Sequence, residues 1–126
     1  MKKAIVLLVF GLLAGCYSVE RNCRPFHEGR FRFTSVVNGE IQSSEFVRQG
    51  RLEIEYYQGK TDSAQIRWVN DCECILTKLN PKNNQEKRPI RMRILTTKGT
   101  SEYVFEYALV GDAKNTQRGT IEKIKP

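Results

Sequence analysis

Ile90-Arg91-Met92-Arg93-Ile94-Leu95 and Glu102-Tyr103-Val104-Phe105-Glu106-Tyr107 lie on either side of Lys98-Gly99. In both runs apolar and charged residues alternate with a period of two, the signature of a half-buried strand. A two-residue turn at Lys98-Gly99 pairs Leu95 with Glu102, Ile94 with Tyr103, Met92 with Phe105 and Arg91 with Glu106. One face of the hairpin is then Ile90, Met92, Ile94, Tyr103, Phe105 and Tyr107. The other carries Arg91, Arg93, Glu102 and Glu106. A slip of one residue would mix the two faces, so turn and pattern point to the same register.

The same period runs outward through most of the chain. Phe31 and Phe33 alternate with Arg32 and Thr34, and Asn38-Gly39 follows, a hairpin signal because both residues tolerate positive φ. Pairing about it sets Phe31 opposite Phe46 and Arg32 opposite Glu45. Leu52, Ile54 and Tyr56 alternate with Glu53, Glu55 and Tyr57, which places the two carboxylates toward solvent. Ala64, Ile66 and Trp68 alternate with Gln65, Arg67 and Val69. Eight strands are expected, at about 30–37, 40–48, 51–58, 63–70, 72–79, 89–97, 101–111 and 118–125. Ile121 and Ile124 have opposite parity, which calls for a bulge or a frayed last strand. The expected fold is all-β, a single antiparallel eight-strand meander over 26–126, closed as a small lipocalin-like barrel or flattened as a sandwich. Closure would remove exposed strand edges. Gly29-Arg30-Phe31 resembles the Gly-x-Trp opening of lipocalin-like barrels. A barrel of this size is either filled by side chains or holds one small ligand.

At 126 residues the chain has room for one domain, which excludes a multidomain machine. Its 40% hydrophobic residues supply a core and exclude a disordered tail. The N-terminus reads as an address. Met1-Lys2-Lys3 is a basic start, and 4–15 carries no charge. Those twelve residues are too few to span a bilayer, which takes about 20, but they suit a secretory signal. The stretch ends in Leu13-Ala14-Gly15-Cys16, which resembles the lipobox of bacterial lipoproteins. Small side chains fit the peptidase pocket, the Cys16 thiol takes up a diacylglyceryl group, and cleavage frees its amine for a further acyl chain. Two or three chains make a stable anchor. The expected layout is a signal peptide over 1–15, a lipidated tether over 16–25 and the β domain. Tyr17, in place of Asp, favours the outer membrane by analogy with lipoprotein sorting. Removing 15 residues leaves 111 and lowers the net charge from +7 to +5.

Three cysteines remain, Cys23, Cys72 and Cys74, and export makes one disulfide the default. Cys72 and Cys74 share a strand face, where a bond between them would be strained. Cys23 therefore pairs with one of them. Cys72, at the strand's start beside Asn70-Asp71, is the favoured partner, and Cys74 is either a buried thiol or the alternative. A metal site from His27, Cys72, Glu73 and Cys74 is disfavoured, because the pair is C-x-C on a strand and Glu73 points to the other face. His27 is the single histidine, and no catalytic motif accompanies it. No enzyme and no cofactor is expected.

Lys82, Lys87, Arg88, Arg91 and Arg93 form a possible basic patch. It could meet anionic headgroups, lipopolysaccharide phosphates or nucleic acid. The competing reading, a solvated loop and outer strand face with Arg91 neutralised by Glu106, is favoured. Should the patch act, anionic lipid is the nearer partner, since nucleic acid would have to be met in the envelope.

Four segments carry a wider resemblance: 16–23 (Cys16 to Cys23), 67–73 (Arg67 to Glu73), 79–83 (Leu79 to Asn83) and 105–112 (Phe105 to Asp112). They resemble a family of short bacterial lipoproteins that often bears the label "DNA topoisomerase IV". The label fails on physics. Such an enzyme needs an ATP site, an acidic metal cluster and a tyrosine nucleophile, spread over a far longer chain that works on cytoplasmic DNA. The resemblance also implies an aromatic residue at the position of Cys74, which supports the Cys23–Cys72 pair. The expectation is a non-enzymatic envelope lipoprotein, membrane-bound through Cys16, that binds an envelope protein or a small apolar ligand. An inhibitor of a lysozyme-type hydrolase is the alternative. The Ser-Gly-rich loop of lysozyme-inhibitor lipoproteins has no match here, and a basic chain complements a basic lysozyme poorly.

Overall fold

Each strand is written in side chains that alternate between two environments, and the computed structural model shows eight of them closing on themselves. It describes residues 21–125. The expected signal, Cys16 and the first part of the tether lie outside the described residues. A short 3-10 turn, Arg24–Phe26, precedes β1 (Gly29–Val37), β2 (Glu40–Gln49), β3 (Leu52–Tyr57), β4 (Lys60–Asn70), β5 (Glu73–Lys78), β6 (Ile90–Lys98), β7 (Glu102–Leu109) and β8 (Gln117–Lys125). Neighbours in sequence pair antiparallel, and β8 returns to pair with β1, giving a closed barrel rather than a sandwich. Closure leaves no strand edge exposed.

The β1–β2 register is the expected one, Phe31 opposite Phe46 and Arg32 opposite Glu45, about a turn in which Asn38 and Gly39 both have positive φ. The parity break in β8 is a bulge. Phe31 pairs with Lys123 but Arg30 with Lys125, so Ile124 is the extra residue.

The β6–β7 register departs from expectation. The loop holds three residues, with Lys98 opposite Glu102, and a bulge at Leu95 follows. Beyond it Ile94 faces Phe105 and Met92 faces Tyr107, a shift of two. An even shift keeps the residues on the far side of the bulge on their own face, so Met92, Ile94, Tyr103 and Phe105 are buried as expected, while between bulge and loop the parity flips and Thr97 turns inward opposite Tyr103. Arg91 lies against Glu73 (3.1 Å) and not Glu106, which takes Arg93 and Arg118.

One end of the barrel, the floor, is packed shut. Phe26 is fully buried there, edge-on to Tyr103 at 4.9 Å. The Cys23–Cys72 disulfide ties the segment to the start of β5, and Cys74 stays a free, buried thiol. Arg21 donates to the Ile94 carbonyl, the Asn22 amide to Thr97 Oγ1, and Lys123 to the Pro25 carbonyl. His27 stacks on Trp68 at 3.7 Å with Nε2 2.7 Å from the Asp71 carbonyl. The opposite end, the mouth, carries the turns at 38–39 and 58–59 and the loops 79–89 and 110–116.

Arg48 joins floor to wall. Its side chain is 2% exposed, and Nε donates to Glu53 Oε1 (2.9 Å) and Nη1 to the Phe26 carbonyl (3.0 Å). The rings of Phe31, Phe46, Trp68 and Tyr103 lie within 6 Å of its guanidinium. Removing one partner of a buried ion pair strands the other. Arg48→Met in the full chain is therefore expected to cost about 3–5 kcal/mol in urea unfolding, and adding Glu53→Gln should recover roughly 1–3 kcal/mol. Equal stability of the single and double variants would show that the pair is not coupled.

Candidate functional site

Above Arg48 the barrel is hollow. A cavity of about 210 Å³ is lined by Phe33, Ser44, Phe46, Arg48, Glu53, Glu55, Leu76, Ile90, Met92, Phe105, Tyr107 and Ile121. A second hollow of about 150 Å³ shares Glu53, Glu55, Leu76 and Ile90 with it and reaches Asp62 and Lys78 toward the mouth. The space exists because inward positions carry small side chains at Ser44 and Ala64. Gly119, also inward, is forced to be small. A Cβ there would stand 2.9 Å from the Phe33 ring and 3.0 Å from that of Phe105.

The acidic part of the wall corrects the sequence reading. Glu53 and Glu55 line the cavity, Glu53 half-buried and Glu55 still exposed at its open side, while Leu52 and Tyr56 on the same strand are exposed on the outside. The Gly50-Arg51 turn sets Arg48 opposite Glu53 and Phe46 opposite Glu55, so the inward face of β2 decides the inward face of β3. Tyr57 follows the same parity and donates from its hydroxyl to Gln42 Oε1.

The two carboxylates differ. Glu53 is taken by Arg48. Among the described residues the Glu55 side chain has no ion pair and no hydrogen-bond partner. Asp62, opposite it on β4, holds Lys78 at 3.1 Å, and Lys78 also meets Glu86 at 3.0 Å. Partial burial, reinforced by the negative charges of Glu53 and Asp62, raises the Glu55 pKa, and Lys78 offsets this only in part. Cys74 is buried, and that burial, only partly offset by Arg48 and reinforced by Glu53 and Glu73, pushes its thiol up to about 12.

The expected basic patch is split. Lys82, Lys87 and Arg88 sit in the exposed loop at the mouth, where Arg88 reaches the Val110 carbonyl (3.4 Å) and Glu86 turns back to the Lys82 amide. Arg91 and Arg93 lie on the outer wall of β6, already paired with Glu73 and Glu106. The residues weighed for a metal are dispersed: Cys72 is in the disulfide, Glu73 faces outward to Arg91, and His27 lies at the floor. Among the described residues no three His, Cys, Asp or Glu side chains are grouped to hold a metal ion. No protein-family model, curated protein or solved structure matches the chain.

A carboxyl whose folded pKa is raised favours folding below its unfolded pKa and loses that contribution as pH rises through the folded one. Glu55→Gln removes the loss. Melting of the full chain at roughly pH 8 should be about 1–3 °C higher for the variant, with no difference at roughly pH 3.5. A variant that melts lower than the parent at the higher pH would mean that the Glu55 charge is compensated.

Proposed function

We propose that the chain is an exported, lipid-anchored envelope protein whose barrel binds a small ligand and performs no catalysis. The observation that carries the binding half is the hollow above Arg48, an apolar cavity with a few polar groups at a barrel mouth. Of the groups with reactive potential, Glu53 is committed to Arg48, Cys74 to the core and His27 to the floor, which leaves Glu55 alone on the cavity wall with no thiol, imidazole or second free carboxylate beside it among the described residues. The anchoring half rests on Lys2-Lys3, the uncharged stretch after it and Leu13-Ala14-Gly15-Cys16.

Geometry ties the halves together. The chain is held at the floor from Arg21 and Asn22 onward. Residues 16–20 can reach at most roughly 18 Å when fully extended. An anchor at Cys16 therefore keeps the floor near the membrane and turns the mouth toward the aqueous side. It also carries the loop of Lys82, Lys87 and Arg88 away from the anchoring leaflet, which disfavours anionic headgroups of that leaflet as its partner.

Two measurements test the halves separately. Protein extracted from membranes of its own host should have the intact mass of residues 16–126 plus acyl chains, gaining two hydrogen atoms when a reductant opens the Cys23–Cys72 bond. Cys16→Ser should abolish the acylation and release the protein from the membrane fraction. An unprocessed, unacylated mass for the parent overturns the anchoring. For the barrel, benzene is a fitting probe, since an apolar cavity of about 150 Å³ suffices for it. Titration of the full chain should shift the amides of Ser44, Leu76 and Phe105, and Ser44→Trp, which fills the space, should remove the response. No shift in the parent overturns the binding reading.

A further inference from the structure

We propose that the cavity selects a protonated amine borne on a small apolar body, with Glu55 as its counter-ion. This deepens, and rests on, the reading of the barrel as a binding module. Three features of the wall point to a cation. The first is the orientation of β3, which turns Leu52, Ile54 and Tyr56 outward and sets Glu53 and Glu55 on the cavity wall. Arg48 occupies Glu53, and strand alternation carries Glu55 to the same side with its carboxylate left unpaired.

The second is charge accounting around Glu55. The groups that face it are Glu53 on its own strand, Asp62 on β4 and Lys78 on β5, with Arg88 bordering the adjoining hollow. Lys78 is already shared between Asp62 and Glu86, and Arg48 is held by Glu53 and the Phe26 carbonyl. Glu55 is exposed at the open side of the cavity and is paired with no cation among the described residues, so its charge is available to a bound ammonium. An anion would be drawn by Lys82 and Lys87 at the rim but would meet Glu55 inside.

The third is the aromatic content of the wall. Phe33, Phe46, Phe105 and Tyr107 line the space, with Phe33 edge-on to Phe105 at 5.8 Å and Tyr107 stacked on Phe105 at 5.7 Å. Ring faces attract cations as well as apolar groups. The wall can therefore take both the body of such a ligand and part of its charge.

The test is a matched series, benzylamine, benzyl alcohol and benzoate, titrated into the full chain beside benzene and followed by amide shifts. Benzylamine should bind at least about tenfold more tightly than benzyl alcohol, a charge-assisted hydrogen bond's worth, and benzoate should not bind. Glu55→Gln should remove the preference while leaving benzene binding intact. Benzylamine affinity should also fall as pH is lowered through the Glu55 titration. If benzene enters but benzylamine shows no preference, or Glu55→Gln leaves the preference unchanged, the amine assignment is overturned and the binding module stands. Tighter binding of benzoate overturns it likewise. No cavity response to any of the four overturns both.

Discussion

The structure depends on one buried cation. Arg48 occupies an inward position of β2, and a guanidinium cannot be left in a barrel interior without acceptors and a counter-charge. It finds the carboxylate of Glu53 across the hairpin, the Phe26 carbonyl below and four aromatic faces around it. Each contact constrains a different element. The Phe26 carbonyl seats the N-terminal segment as the floor, and Glu53 dictates which face of β3 looks inward. Because a strand alternates without exception over so short a run, Glu55 must follow Glu53 inside. The cavity's acidity is thus a by-product of neutralising Arg48, and the exposure of Leu52 and Tyr56 is the same fact seen from outside.

This explains how far the fold could be read from residues alone. The eight strands, their order and most of their faces follow from period-two alternation and from turns such as Asn38-Gly39, where local chemistry allows one solution. In β3 the apolar residues alone point to the opposite face, because alternation within one strand takes no account of its neighbour. The correct face was nonetheless legible: Gly50-Arg51 as a two-residue turn places Phe46 opposite Glu55, and a core Phe46 then pulls Glu55 inward. The β6–β7 register was beyond such arithmetic. Its three-residue loop and the Leu95 bulge compensate one another on the buried face, so the hydrophobic pattern is identical with and without them.

The cavity was not legible at all, for a different reason. Alternation says which side chains point inward but not whether their summed volume fills the space. Ser44 and Ala64 leave room, whereas Gly119 leaves none, since the rings of Phe33 and Phe105 already occupy the place of its missing Cβ. Distinguishing these cases needs the register of all eight strands at once. Glu55 was hidden with the cavity, because an unpaired carboxylate stands out only when the wall it borders is known.

The two ends of the barrel show a division that the proposed anchoring makes sense of. Covalent and polar ties gather at the floor: the Cys23–Cys72 bond, the contacts of Arg21 and Asn22, and the stack of His27 on Trp68. A tether that transmits membrane motion would load this end first, and here the first residues of the domain are held to β5, β6 and β8. The mouth has the opposite character. Its hairpin tip exposes Val36 and Ile41, its loops are long and polar, and its interior is hollow. An open cavity forfeits packing contacts and thus weakens the domain locally. Confining the hollow to the half beyond Arg48 leaves Phe26, Phe31, Ile66, Cys74, Ile94 and Tyr103 as a fully buried layer beneath it. Arg48 is therefore both the support of the floor and the base of the cavity, and a ligand above it would meet a wall whose geometry the buried layer already holds in place.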